Sequence, residues 1–211
     1  NDTIGMDDKD YKAFQEIKAM NDKHEYLWKN KGGTPDEQTV RNMAVFSAFG
    51  EGLQLFASFV MLLNFQRFGK MKGMGQIVAW SIRDESHHVE NMIKLLHEIL
   101  DEKPHVWNDE FKKTLYDICR DMVNLEDRFI DLAFEFGPIE GLEPDDVKQY
   151  IRHIADRRLL QLGLKPNYGV KENPLEWVDW VVNGVEHTNF FENRSTEYNK
   201  GSLTGTWDDA F

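Results

Sequence analysis

The stretch from Met43 to Phe65, MAVFSAFGEGLQLFASFVMLLNF, decides the fold. It carries one ionisable side chain, Glu51, among Phe46, Phe49, Leu53, Leu55, Phe56 and Phe59. Apolar residues fall at every angle of a 3.6-residue period, the pattern of a helix buried on all sides. A carboxylate there is costly unless it is protonated and hydrogen-bonded, paired with an arginine, or bound to a metal. The stretch taken alone is compatible with all three. It is also long enough to span a bilayer. Gln54, Asn64 and the Gly50-Glu51-Gly52 step are poor lipid-facing chemistry, so a membrane role is not expected.

Upstream, NKGGTPDE (Asn30 to Glu37) stops a helix expected from Asp8 to about Lys29. It starts the buried helix with Thr34 as cap, Pro35 in the first turn and acids behind it. That helix is expected to run unbroken from about Pro35 to Phe68, followed by a turn at GKMKGMG (Gly69 to Gly75). Further helices are expected over about 76–100, 108–136 and 144–162, with a short one over 173–182. Their breaks fall at Pro104, Gly137-Pro138 and Gly163. No strand alternation or repeat stands out, and the chain reads as all-α. From about Glu186 it turns polar, with Gly201 and Gly205 and no apolar period, as in a flexible tail. The expected organisation is a helical domain over 1–185 and a tail over 186–211.

With 41% hydrophobic residues in 211, the chain can build a substantial core. Its 25 basic against 37 acidic residues leave a net charge of −12, which opposes nucleic acid as a partner. A single cysteine, Cys119, excludes an internal disulfide and suits a reducing cytoplasm. The first thirty residues are polar and hold no signal segment.

The third helix contains WSIRDESHHVENMIKLLHEIL, Trp80 to Leu100. Glu85 and His88, three apart, project one above the other. Their side also carries Ile77, Ser81, Met92, Leu95 and Ile99, so the pair is expected to face the core. Asp84 and His87 share the spacing on a more polar side with Asn91, Lys94 and Glu98. By itself Glu-x-x-His is equally a hydrogen-bonded polar pair. Geometry adds to it: in an antiparallel hairpin, residues 51 and 85 lie symmetrically about Phe68, where the turn is expected. Glu51 then sits level with Glu85 and His88. Two carboxylates and an imidazole converging in an apolar core make half of a dinuclear carboxylate site, as built in four-helix bundles. Oxygen donors with one imidazole suit iron or manganese better than zinc thiolate chemistry.

Glu51, RDESHH (Arg83 to His88), EHTNFFENRSTEY (Glu186 to Tyr198) and the acidic-aromatic end WDDAF together resemble the radical-generating small (beta) subunit of class I ribonucleotide reductase. The resemblance implies a ferritin-like helical bundle. It matches Glu51, Glu85 and His88 to ligands of a dinuclear centre (Fe/Fe, Mn/Fe or Mn/Mn). Asp84 matches an aspartate on the radical-transfer route, and Tyr198 and Glu192 match relay residues of the tail. Leu55, Phe59 and Ser81 fall where the family lines the metal pocket, Ser81 being a polar departure. Leu203, Trp207, Asp208, Asp209 and Phe211 match the peptide that docks on the large catalytic (alpha) subunit. The implied activity is that of ribonucleoside-diphosphate reductase, in which nucleotides bind the partner.

The resemblance covers only the C-terminal half to two-thirds of the family pattern. Residues 1–50 hold no Glu-x-x-His, and the remaining ligands, the radical tyrosine and the route tryptophan are not matched. A separate N-terminal polypeptide completing a split subunit, and a homodimer of the completed subunit, are therefore expected. Cleavage, and a site completed by two-fold symmetry, are the other accounts. Another ferritin-like dimetal oxidase or hydroxylase, or a non-catalytic helical fragment, are the alternative functions.

Overall fold

The computed structural model describes residue 12 and residues 16–183. The tail residues Glu192, Tyr198, Leu203, Trp207, Asp208, Asp209 and Phe211 lie outside the described residues.

Seven α-helices are described: α1 (Lys18–Lys29), α2 (Pro35–Met43), α3 (Phe56–Arg67), α4 (Lys72–Glu102), α5 (Asp109–Glu135), α6 (Pro144–Gln161) and α7 (Glu176–Asn183). Between α2 and α3 lies a π-helical segment, Ala44–Glu51. No strand occurs among the described residues. Local chemistry sets the ends. Thr34 caps α2 through a reciprocal box: Glu37 N donates to Thr34 Oγ1, and Thr34 N donates to Glu37 Oε2 at 2.8 Å. Asn108 Oδ1 accepts from Phe111 N at 2.9 Å and opens α5.

The expected unbroken helix over 35–68 is therefore corrected to α2, a π segment, a short turn and α3. Gly52 N donates to Ser47 O at 2.9 Å and Gln54 N to Phe49 O at 3.0 Å, both five residues back. The wider turn slows the rotation of the chain, and such insertions recur at functional sites. Val45, Ala48, Phe49 and Leu53 still point into the core, while Glu51 emerges at its flank.

The π segment touches α1, α4, α5 and α6, so it lies at the centre of the bundle. The 35–67 stretch is long and apolar enough to cross a membrane, but 67% of its most apolar window is buried inside the protein. It behaves as a core helix. The α3–α4 turn comes at Phe68 to Met71, where Gly69 (φ 72°) and Met71 (φ 47°) take left-handed backbone. Asp156, buried on α6, accepts from the backbone N–H groups of Asn167, Tyr168 and Val170 at 2.8 to 3.0 Å. One carboxylate thereby fixes the loop between α6 and α7. Cys119 is buried, and burial pushes its thiol up to about 12, so it is an inert core residue.

Candidate metal centre

Glu51 ends the π segment, and Glu85 and His88 sit one turn apart in the middle of α4. One ligand atom from each lies within 4.8 Å of the others. The antiparallel packing of α4 against α3 and the π segment creates this convergence, at the level the hairpin symmetry predicts. Two donors on one ion at about 2.1 Å each lie at most about 4.2 Å apart. The observed triangle is therefore close to the span that one ion would hold. The donor set is two carboxylates and an imidazole, and it fits iron or manganese.

The surroundings differ from the expected apolar core. Glu85 is 24% exposed and His88 60% exposed, with His88 Nδ1 3.4 Å from Glu85 Oε2. Ile77 and Leu95, expected to face inward with them, are each about half exposed. The core side of α4 is instead Val78, Ala79, Ile82, Val89, Ile93 and Leu96. The ligand stripe thus lies on an open flank with apolar neighbours. A residue period reports that a stripe is apolar, but it cannot say which partner covers it.

Glu51 is half-buried, and no arginine or other cation pairs with it among the described residues. Its Oε2 accepts from the buried Ser47 hydroxyl at 3.4 Å. Other helical hydroxyls bond back to the carbonyl four residues earlier: Thr39 to Pro35, Ser81 to Ile77, Ser86 to Ile82 and Thr114 to Glu110. Ser47 instead turns toward the carboxylate, so its hydroxyl orients a candidate ligand.

Two cavities meet at Glu51. One, about 520 Å³, is bounded by Met43, Phe46, Ser47, Glu51, His88 and Met92. The other, about 450 Å³, is bounded by Leu27, Phe46, Glu51, Leu55 and Phe129, with Lys23 at its edge. Leu55 thus lines a cavity beside Glu51. Phe59 is half-buried edge-on to Phe56, and Ser81 donates to Ile77 O; neither lines these two cavities. Asp84, beside Glu85, is exposed.

A family model described as ribonucleotide reductase, small chain, matches residues 1–174. The chain belongs to the ribonucleotide reductase small-chain family. A ribonucleoside-diphosphate reductase small subunit of Invertebrate iridescent virus 3 is 46% identical over 222 residues, covering 97% of this chain and 59% of the relative. The ribonucleoside-diphosphate reductase subunit beta of Chlamydia pneumoniae is 36% identical over 161 residues, covering 76% of this chain and 46% of the relative. The chain therefore spans about half to three-fifths of the length of these relatives. The ribonucleotide reductase R2 subunit from Clostridium botulinum superposes with a TM-score of 0.75 at 23% identity, covering 83% of this chain and 56% of that one. The fold of this small-chain family member is accordingly the ferritin-like bundle.

Sequence reasoning missed a second polar layer behind the site. Glu126 on α5 is fully buried, and Lys23 Nζ lies 2.5 Å from its Oε2. Lys23 also donates to Gln54 O at 2.7 Å and stands over the Phe129 ring at 4.5 Å. Burial pushes the Glu126 carboxyl up to about 7, and the Lys23 charge opposes that rise. A signal was available: Glu126 falls four residues after Met122 and four before Ile130, on the apolar stripe of α5. Its partner, about a hundred positions earlier, carried none.

Proposed function

We propose that this chain contributes one half of the dinuclear metal centre of a ribonucleoside-diphosphate reductase small subunit. The convergence of Glu51, Glu85 and His88 on an open, apolar-rimmed flank carries the proposal. Family membership supports the same assignment. The metal pair, Fe/Fe, Mn/Fe or Mn/Mn, supplies one-electron oxidising chemistry when bound.

The chain's own residues do the rest. Glu85 and His88 present an oxygen and a nitrogen from consecutive turns of one rigid helix, so their relative position is fixed by α4. Glu51 brings a second carboxylate from the π segment, oriented by the Ser47 hydroxyl. Asp84, exposed next to Glu85, stands where it can exchange a proton between the ligand helix and its surroundings. In the tail, Glu192 and Tyr198 relay the oxidising equivalent outward. Leu203, Trp207, Asp208, Asp209 and Phe211 dock on the large catalytic subunit, which binds the nucleotide. The remaining ligands come from other helices of the small subunit seated on the open flank, where they would cover Ile77 and Leu95. The completed subunit is a cytoplasmic homodimer.

Native mass spectrometry with metal analysis of the protein from its natural source tests this assignment. About two metal ions per small subunit is the expected result. A metal-free small subunit would sink it.

A further inference from the structure

We propose that the cavity between α4, α6 and α7 is a binding site for a small monocarboxylic acid, held by Arg158 and Tyr150. The cavity measures about 430 Å³. Arg158 is 6% exposed and lines it. Its Nε donates to Gly52 O at 2.9 Å and its Nη1 to Gln161 Oε1 at 2.8 Å, and its plane lies over the Phe56 ring. Among the described residues no carboxylate pairs with it, and its Nη2 makes no hydrogen bond. A buried guanidinium without an anion is costly, because the interior cannot replace its hydration. Tyr150, 3% exposed, lines the same cavity, and its hydroxyl makes no hydrogen bond to a described residue. Both donors, on largely buried residues, therefore open onto one space, and the carboxylates on its border, Glu90 and Asp179, form no hydrogen bond or ion pair with them.

The rim narrows the choice of anion. Arg157 adds a second positive charge there. Glu90 and Asp179 also border the cavity, engaged by Lys94 and Asn173 respectively, each at 2.9 Å. These two acids would repel a multiply charged phosphate, whereas a single carboxylate matches the buried guanidinium in charge and in planar geometry. The volume exceeds that of a bare carboxylate, and Ile82, Ile154 and Val178 provide apolar walls for a short hydrocarbon body. Because Arg158 also holds the carbonyl of the residue after Glu51, an anion drawn to it would reach the backbone next to a candidate ligand. The site itself stands independently of any metal.

Saturation-transfer NMR with butyrate on the full 211-residue chain tests the proposal. Saturable binding is expected, with inorganic phosphate at equal concentration failing to displace it. Arg158→Met should abolish the signal. Tyr150→Phe, which keeps the ring packing if the arginine variant does not fold, should weaken binding by roughly tenfold, as for a lost hydrogen bond to a charged group. No saturable binding to the wild-type chain, unchanged affinity in Tyr150→Phe, or displacement by phosphate would each overturn it.

Discussion

Arg158 Nε donates a 2.9 Å hydrogen bond to the carbonyl of Gly52, 106 residues away in sequence and one residue beyond Glu51. The two groups are close enough that a Cβ at position 52 would sit 2.7 Å from that nitrogen. Helix α6 thus clamps the backbone just after a candidate ligand, in the short turn where the π segment gives way to α3. Gly52→Ala must push the arginine aside and also clear the Ala48 carbonyl, which its Cβ would meet more closely still. A loss of about 1–3 kcal/mol is expected, as for overpacking in a filled core. Urea denaturation measures it, and an unchanged midpoint would show that the turn yields freely.

The Lys23–Glu126 pair makes stability depend on pH. The Glu126 carboxyl stands at about 7 when folded, against an ordinary 4.5. Because its folded value is raised, the stabilisation it gives is complete below about pH 4.5 and is lost as pH rises through 7. Glu126→Gln lacks that dependence. The stability of the wild type relative to this variant should fall by on the order of 2 kcal/mol between pH 4.5 and 7.5. Parallel urea titrations across that range give the difference, and a flat result would mean that Lys23 keeps the carboxylate ionised throughout.

Metal retention should follow the converging side chains. In the assembled protein, Glu85→Ala is expected to lose metal, as measured by elemental analysis after dialysis. Unchanged metal content would point to a degenerate site and a structural role. Ser47→Ala leaves every ligand in place and removes only the hydroxyl that orients Glu51. Its metal affinity should drop by roughly tenfold, at the lower end of what such supporting contacts contribute.

The tail can be separated from the site. Tyr198→Phe should abolish nucleotide reduction by the complete enzyme while metal loading stays normal. Loss of both together would refute a relay role for Tyr198. Deleting the chain from Glu192 onward should likewise stop nucleotide reduction. A hydroxylase-type oxidase built on the same bundle would keep its activity after that deletion.

The all-α class, the helix boundaries near Thr34, Asn108 and Pro144, and the hairpin that levels Glu51 with Glu85 and His88 were all legible in the sequence. They depend on local chemistry: caps, proline and glycine breaks, and the period of apolar side chains, which act within a few residues. The π segment was not legible. An α-helix and a π-helix present the same apolar run, and the choice between them was made by what α1, α4, α5 and α6 pack against residues 44–51. The exposure of Ile77 and Leu95, the Lys23–Glu126 pair and the Arg158–Gly52 bond are likewise tertiary. Each joins or uncovers groups far apart in the chain, and no spacing rule reaches across that distance. The sequence by itself determined the helical class and the common height at which Glu51, Glu85 and His88 stand. Only the tertiary structure decided which way they face, because burial belongs to the neighbours of a residue and not to the residue.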